Sequence, residues 1–231
     1  MPLTVTAVIL ARLGSHRLPG KPLLRVGGKP LVEYVYERAC LAGGLDNVVI
    51  ATSIQPEDDE VARYASQIGV ECFRGSSENV AERLLLAASA SSASHVVRIN
   101  SDSPFLQPEL ITQAVRKAKD GQYDLVTNIF PRSYPYGIAA EVLKVSTLAK
   151  TLSYFNRIDR EHVTRYFYRN PEKFSIRNLT ADAKHDVSLR LVIDTQEDLK
   201  IFTSLVRKHS SDLRALKLQE IEEFYKSRLG E

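Results

Sequence analysis

The sequence predicts an α/β fold: a mostly parallel β-sheet with helices packed on both of its faces. Apolar, β-branched segments alternate with amphipathic helical segments over residues 3–128, and this alternation is typical of sheets built from β-α-β units. The strand segments are almost wholly apolar, as strands buried on both faces are. With 231 residues, 44% hydrophobic and 26% charged, the chain has the size and composition of one large globular domain, 1–231.

The first elements can be justified in order along the chain. Residues 3–10 (LTVTAVIL) are apolar and β-branched and predict the first strand. A loop rich in glycine and proline follows, and Pro30 suits the first turn of a helix. Residues 47–52 predict a second strand. Residues 56–68 predict a helix, since a proline and acidic residues occupy its first turn and Gly69 is placed to end it.

The same rhythm continues to residue 128 and then breaks. Strands are predicted at 70–73, 95–99 and 123–128, with helices at 77–90 and 108–119. The sequence PRSYPYGIAAEV then predicts a loop or hairpin, the start of an excursion over about residues 130–180. Beyond it we expect a helix at 158–169, strands at 173–179 and 188–193, and two closing helices.

The positive charge of the chain is concentrated near its N-terminus. The net charge is +3, and five basic residues precede the first acidic one, Glu33: Arg12, Arg17, Lys21, Arg25 and Lys29. The other 26 basic and 28 acidic residues nearly balance. A local excess of this kind differs from the diffuse basic face of a nucleic-acid-binding protein, so we expect no nucleic-acid partner.

Targeting and metal-binding patterns are weak throughout. No apolar run reaches the roughly 18 residues of a membrane span, so no membrane partner is expected. The N-terminus lacks the basic start of an export signal, and Cys40 and Cys72 are too far apart for a CxxC motif. We therefore expect a cytoplasmic protein. The scattered histidines predict no zinc site.

The loop after the first strand, ARLGSHRLPGKP (11–22), is the most informative segment. A glycine-rich loop in this position commonly binds phosphate through its N–H groups and the following helix terminus. The segment matches neither of two familiar phosphate-binding loops. Five residues separate Gly14 from Gly20 and Pro22 stands where a Walker A loop has Ser or Thr; the GxGxxG pattern of dinucleotide-binding loops is absent as well.

What remains is a longer loop that carries Arg12, Arg17 and Lys21. Several cations are needed to neutralise a triphosphate, and arginine binds its oxygens with two N–H groups at once. The alternative is a solvated basic loop shaped by glycine and proline, although no acidic residue nearby in the sequence balances it. Neither Arg12 nor Lys21 is expected in the core.

The run ARLGSHRLPGKPL resembles the N-terminal signature of the sugar-acid cytidylyltransferases, which include the 3-deoxy-manno-octulosonate and acylneuraminate enzymes. It is most similar to the SpsF-type spore coat polysaccharide group. The resemblance continues in order through IATS (50–53), PEDD (56–59), FRGSSENVAER (73–83), RINSDSPFL (98–106), REHVT (160–164) and IDTQEDL (193–199). It implies a Rossmann-like fold of the nucleotide-diphospho-sugar transferase type, a protruding hairpin or dimerisation segment, and a homodimer.

Two aspartates follow predicted strands, Asp102 after HVVRIN and Asp194 after LRLVI. Ligands of open α/β sheets bind beyond the carboxyl ends of the strands, and Mg²⁺ is held by one or two carboxylates plus phosphate oxygens and water. The resemblance implies that both are metal ligands, for Mg²⁺ or Mn²⁺. The alternatives are a turn or cap role for Asp102 before Pro104, and an N-cap role for Asp194 with Glu197 as its capping-box partner.

Further site residues come from the later motifs. For the nucleotide, the family resemblance points to Ala11, Gly14, Ser15 and Lys21 in the loop and to two segments that would contact the base, Thr52–Ser53 and Arg74–Gly75–Ser76. The alternative for the last segment is a helix start capped by Ser76 or Ser77.

For the acceptor, the candidates are Glu141, Glu161, His162 and Arg165. The alternative for the last three is a plain surface helix, in which Glu161 and Arg165 form an i,i+4 pair. Ala139 occupies a position where the family commonly has aspartate.

Together these residues predict an enzyme, a cytidylyltransferase that transfers CMP from CTP to a sugar acid or related acidic sugar and releases pyrophosphate. The catalytic residues would be Arg12, Arg17, Lys21, Asp102 and Asp194. Two other classes stay open: a nucleotidyltransferase for another NTP or a glycosyltransferase of the same fold, and a noncatalytic nucleotide-binding module. A glycosyltransferase would be expected to carry a DxD-like acid pair, for which only Asp102 alone or the helical Asp58 and Asp59 qualify.

Overall fold

Seven strands form one sheet in which four of the six neighbouring pairs are parallel. The computed structural model describes residues 3–15, 17–209 and 212–229. Its strands are β1 (Val5–Leu10), β2 (Arg25–Val26), β3 (Lys29–Pro30), β4 (Asn47–Ser53), β5 (Cys72–Gly75), β6 (His95–Asn100), β7 (Leu125–Thr127), β8 (Glu141–Lys144) and β9 (Ile176–Asn178). The order across the large sheet is β5-β4-β1-β6-β8-β7-β9, while β2 and β3 pair as a separate ribbon.

Nine α-helices are formed by the described residues. They are α1 (Leu31–Ala39), α2 (Asp59–Gln67), α3 (Val80–Ala90), α4 (Pro108–Asp120), α5 (Val145–Thr151), α6 (Arg157–Glu161), α7 (Arg165–Arg169), α8 (Gln196–Lys208) and α9 (Leu218–Leu229). None of them is long and apolar enough to cross a membrane.

Helices cover both faces of the sheet, as predicted. Alternate side chains of β1 point to opposite sides, which places Ala7 and Ile9 in one hydrophobic cluster and Val8 and Leu10 in the other. Helices α1, α2, α4, α8 and α9 pack into the first cluster, and α3, α5 and α7 into the second. The α/β fold with a mostly parallel sheet is therefore confirmed.

The first half of the chain matches its predicted elements closely, but the second half differs in three places. Residues 188–193 do not form a strand of the sheet. Their hydrogen bonds go to two loops instead: the N–H of Leu191 donates to the carbonyl of Tyr136 at 2.7 Å, and that of Ile193 to the carbonyl of Asp102 at 2.9 Å. The helix predicted at 158–169 is two short helices, because the backbone leaves the helical region at His162.

The third difference is β8, an antiparallel strand between β6 and β7 that begins at the end of the segment predicted as a loop or hairpin. The excursion before it folds back onto the sheet. Asn128 fixes both ends of this turn, because its side-chain amide donates to Ile138 O at 3.0 Å and its side-chain oxygen accepts from the N–H of Ala140 at 2.8 Å. A protruding hairpin is not confirmed, and the homodimer stays a prediction.

Candidate active site

A cleft of about 480 Å³ opens at the carboxyl ends of β1 and β6. After β1 the chain crosses to β4 on one side of that strand, and it later returns to form β6 on the other side. The connections on the two sides therefore diverge at the carboxyl end of β1. Such a switch point is where open α/β sheets bind ligands. Its lining combines the loop after β1, the turn after β6, the excursion before β8 and the end of α6.

The loop after β1 is shaped by one glycine and one buried acid. Gly20 has a φ of 69°, a left-handed conformation that glycine adopts without strain, and its N–H donates to the carbonyl of Leu13 at 3.1 Å. Asp58 is 1% exposed and accepts from the N–H of Leu13 at 2.7 Å and from the N–H of Ser53 at 3.2 Å. This carboxylate therefore ties the loop to the end of β4.

Replacing Asp58 with alanine should lower stability by about 1–3 kcal/mol, because the buried donors of Leu13 and Ser53 lose their acceptor. The KM for the nucleotide should rise, since the loop loses its attachment to β4. Thermal unfolding and steady-state kinetics measure the two effects. The matched control is Asp59→Ala, whose carboxylate is 51% exposed and paired with Arg74, a surface ion pair of small energetic value. Equal effects in both variants would contradict the assignment of Asp58 as the anchor.

Lys21 lies at the centre of the cleft between the two predicted metal ligands. Its Nζ is 2.8 Å from Asp102 Oδ2 and 2.9 Å from Asp194 Oδ1. Burial by itself disfavours the ammonium, but the charges and hydrogen bonds of these two carboxylates outweigh it and raise the pKa of Lys21. Lys21 is therefore charged at neutral pH. It is 9% exposed, and it lines the cleft without belonging to either hydrophobic cluster.

Asp194 is the most heavily contacted acid of the cleft. Besides Lys21, it faces Arg17 and Arg190, each with an Nη2 at 3.1 Å from its Oδ2. Burial opposes its ionisation, yet the hydrogen bond and charge of Lys21, followed by the charges of the two arginines, keep its pKa below the ordinary value. Its side chain caps nothing. The N-cap of α8 is Thr195 with Asp198 as capping-box partner, so the N-cap alternative for Asp194 is wrong.

The remaining loop cation, Arg12, is paired across the cleft. Its Nη2 is 2.6 Å from Glu161 Oε1, and its Nη1 donates to the carbonyl of Ser77 at 3.3 Å. The acids that balance the basic loop, Asp102, Glu161 and Asp194, thus come from distant parts of the chain. The alternative of a solvated, unbalanced loop does not fit this arrangement.

Comparisons with known proteins agree with this geometry. The sequence profile of a family described as cytidylyltransferase matches residues 6–229. The chain belongs to the cytidylyltransferase family. The resemblance drawn from the loop and the later motifs is thereby confirmed, and the protein is a nucleotidyltransferase.

Two curated relatives and one solved structure illustrate the family. The spore coat polysaccharide biosynthesis protein SpsF of Bacillus subtilis is 32% identical over 211 residues, 87% of this chain and 85% of the relative. A 3-deoxy-manno-octulosonate cytidylyltransferase of Pelobacter propionicus is 38% identical over 120 residues, 51% of this chain and 46% of the relative. A cytidylyltransferase from Leptospira borgpetersenii has a TM-score of 0.88 at 29% identity, covering 98% of this chain and 96% of that one.

The predicted nucleotide-binding residues of the cytidylyltransferase divide into two groups. Gly14 and Ser15 line the cleft with the loop cations. The others lie outside its lining. Ala11, Thr52 and Ser53 are buried at the ends of β1 and β4. Arg74 pairs with Asp59 at 2.7 Å, Gly75 ends β5, and Ser76 accepts a hydrogen bond from the N–H of Asn79 at 3.0 Å. The cap of α3 is Asn79, where Ser76 or Ser77 was the alternative. Base contacts by these segments stay a prediction.

The predicted acceptor residues also divide. Glu141, Glu161 and His162 line the cleft, together with Ala139. Arg165 lies on α7 and pairs with the buried Asp159 instead. Its role towards the acceptor stays a prediction.

Several basic residues of the cleft were not predicted. They are Arg83 on α3, Arg98 on β6 and Arg132 in the excursion. Burial, and then the charge of Arg12, lowers the pKa of Arg83 to about 10, and its Nη1 donates to the carbonyl of Ser76 at 2.6 Å. Arg98 had a visible signal in the sequence, since it is the one charged residue inside the apolar run HVVRI.

A divalent cation fits the acids of the cytidylyltransferase cleft. Asp102 and Asp194 place one oxygen each against the same Lys21 Nζ, and Asp102 Oδ1 also accepts from Ser103 Oγ at 3.2 Å. No group of three or more His, Cys, Asp or Glu side chains suited to a metal occurs among the described residues. Two carboxylates suit Mg²⁺ when phosphate oxygens and water complete its shell.

Proposed function

We propose that this cytidylyltransferase transfers CMP from CTP to a sugar acid or a related acidic sugar and releases pyrophosphate. One observation carries the proposal: three cations of the loop after β1 converge with Asp102 and Asp194 at the switch point of the sheet. This arrangement suits a triphosphate with its metal ion. The relatives named for 3-deoxy-manno-octulosonate and for spore coat polysaccharide support an acidic sugar as the acceptor.

In the proposed reaction, a hydroxyl of the acceptor attacks the α-phosphorus of CTP, and the bond to the bridging oxygen of pyrophosphate breaks. Arg12, Arg17 and Lys21 would bind the β- and γ-phosphates and stabilise the charge that develops on the leaving group. Mg²⁺ held by Asp102 and Asp194 would supply further charge neutralisation and lower the pKa of the attacking hydroxyl. The protein does no covalent chemistry, so its contribution is positioning and electrostatics.

The ion pairs across the cleft would have to open before a triphosphate could bind to the arginines of the loop. Arg12 would exchange Glu161 for phosphate oxygens, and its side chain is 37% exposed. Arg17, at 64% exposure, would leave Asp194 in the same way. Each exchange replaces one charge-assisted hydrogen bond with another, so each arginine has an anionic partner before and after the triphosphate binds.

Pyrophosphate release tests the proposal directly. The purified protein is assayed with each of the four NTPs, Mg²⁺, and a panel of acids that includes 3-deoxy-manno-octulosonate and N-acetylneuraminate. We expect turnover with CTP and at least one acid, and little with ATP, GTP or UTP. Turnover with another NTP, or with neutral sugars only, would overturn the proposal.

The acid pair expected of the glycosyltransferase alternative does not line the cleft, where Asp102 is the one member of its candidate set. Of its candidate acid pair, Asp58 is buried as the anchor of the loop after β1, and Asp59 is 51% exposed and paired with Arg74. Neither lines the cleft.

Ala139 gives a test of acceptor choice. It lines the cleft at a position where the family commonly has aspartate, and Ala139→Asp adds an acceptor for a substrate hydroxyl or amine. We expect the variant to favour 3-deoxy-manno-octulosonate over the acid that the parent prefers, or to improve its use if that acid is already preferred. The ratio of kcat/KM values should shift by about 5- to 100-fold, as one unpaired polar group in a closed site predicts. Ala90→Asp, at the exposed end of α3, is the charge control. An unchanged ratio would show that Ala139 does not face the sugar.

A further inference from the structure

Arg98 is a charged residue in a strand that is otherwise built for the core. Its neighbours Val96, Val97 and Ile99 are at most 4% exposed, and its own side chain is only 14% exposed. The part that remains accessible lines the cleft, beside Asn100 and Ala139. A buried guanidinium requires partners, and Arg98 has them on one side only.

On that side, Arg98 is held by a chain of hydrogen bonds that starts deep in the sheet. Its Nη1 donates to Glu141 Oε2 at 2.7 Å, and Glu141 is 1% exposed. The hydroxyl of Tyr168 donates to the other carboxylate oxygen at 2.6 Å and lies 2.8 Å from Thr127 Oγ1. Burial, and then the charge of Glu141, raises the pKa of Tyr168 well above its usual value, so the phenol stays protonated and donates. Both oxygens of Glu141 are thus occupied.

The opposite edge of the guanidinium makes no hydrogen bond to the residues that the structure describes. Arg98 Nε is buried without a hydrogen-bond partner, so a ligand in the cleft does not reach it, whereas Arg98 Nη2 is not among the buried atoms that lack a partner. Nη2 is therefore the unpaired nitrogen of Arg98 that the cleft can reach, and its N–H groups can donate charge-assisted hydrogen bonds to a carboxylate. A ligand that supplies this carboxylate gains affinity from the contact.

We propose that Arg98 Nη2 binds the carboxylate of the acceptor, and that Glu141 and Tyr168 are positioning residues that aim it. The inference rests on the proposed function, which it extends by assigning the group that recognises the acid. In 2-keto sugar acids the carboxylate is bonded to the anomeric carbon. Fixing it on β6 therefore also fixes the anomeric hydroxyl, on the strand that leads directly to Asp102.

The central experiment compares an acid with its neutral counterpart. The acid is the one from the panel that the parent uses best, and the counterpart is its carboxamide at the same carbon. In Arg98→Gln, kcat/KM for the acid should fall about 30-fold or more, as loss of a charge-assisted contact with a carboxylate predicts, while the carboxamide and CTP change little. Arg98→Lys keeps the charge, but its single ammonium cannot replace the guanidinium contacts with both Glu141 and the acid, so it should recover only part of the loss. The matched control is Arg116→Gln, an exposed arginine on α4.

Arg98→Gln leaves Glu141 buried without its cation, which can unfold a protein. The double variant Arg98→Gln with Glu141→Gln removes both charges, and the second substitution keeps the volume of the Glu141 side chain. Its thermal unfolding should resemble that of the parent, with the same selective loss for the acid. Tyr168→Phe tests positioning. It leaves Arg98 in place, so KM for the acid should rise by less than in Arg98→Gln while KM for CTP stays constant.

The outcomes separate this inference from the proposed function. If the parent releases no pyrophosphate with any acid, the proposed function fails. If the parent uses an acid and both the folded single and double variants lose activity equally on acid and carboxamide, Arg98 is a structural ion pair and the inference is overturned. A selective loss for the acid, with CTP unaffected, supports it.

Discussion

Replacing Asp102 or Asp194 with asparagine is expected to lower turnover by roughly 100-fold or more, because each variant weakens a metal ion that contributes several kcal/mol to the transition state. The Mg²⁺ concentration needed for half-maximal rate should rise in both variants, and Mn²⁺ should substitute in the parent. EDTA should abolish activity and leave the far-UV circular dichroism spectrum unchanged, since the ion belongs to the substrate complex.

The control for this series is Asp198→Asn on α8, the helix that follows Asp194. Asp198 accepts from the N–H groups of Asp194 and Thr195 at 2.9 and 2.8 Å, so its loss disturbs the start of α8 without removing a carboxylate of the cleft. It should lower stability by about 1 kcal/mol or less and leave the metal titration unchanged. Coincident metal titrations for the parent and both cleft variants would show that Asp102 and Asp194 do not bind the ion.

Arg12→Ala and Lys21→Ala should each lose about 2–4 kcal/mol of transition-state stabilisation, measured from kcat/KM for CTP, because each removes a positive charge placed against the leaving group. Their stabilities should differ. Arg12 is 37% exposed and its removal should change unfolding little, whereas Lys21→Ala leaves Asp102 and Asp194 facing each other across a mostly buried gap.

Arg25→Ala is the matched control, since this arginine belongs to the same basic segment but is exposed and lies outside the cleft lining, where its Nη1 donates to the carbonyl of Gly28 at 2.7 Å and its guanidinium lies over the Tyr64 ring. It should keep the parent kcat/KM. If Arg12→Ala and Lys21→Ala also keep it, the loop does not bind the phosphates.

The sequence brought the loop after β1 and Asp102 to this cleft because their signals are local. Strand β1, the loop that follows it and the turn after β6 are each continuous segments, and parallel order brings their ends together without further information. Asp194 also lines the cleft, but not at the end of a strand of the sheet. Residues 188–193 have the apolar pattern of a strand, yet their hydrogen bonds go to two loops.

The part of the cleft around Arg98 and Glu141 depends on contacts that the sequence does not display. Strand β8 is only four residues long and follows an irregular segment, so its pairing with β6 comes from the sheet and not from local periodicity. That pairing sets Arg98 opposite Glu141. Both residues could be noticed individually, Arg98 as a charge in an apolar run, but their partnership, and the Tyr168 hydroxyl behind it, required the folded chain.

The opposite direction of β8 has a consequence for how this enzyme can diversify. The loop after β1 and the turn after β6 are entered from strands running one way, whereas the excursion over 129–140 enters the same rim and then runs back along β8. Asn128, before the excursion, is hydrogen-bonded to Ile138 and Ala140 at its end. Substitutions between these points therefore change one wall of the cleft and leave the register of β1 and β6, which lead to the other wall, unchanged. Under the proposed function, changes in this segment should alter the choice of acceptor and leave the binding of CTP unchanged.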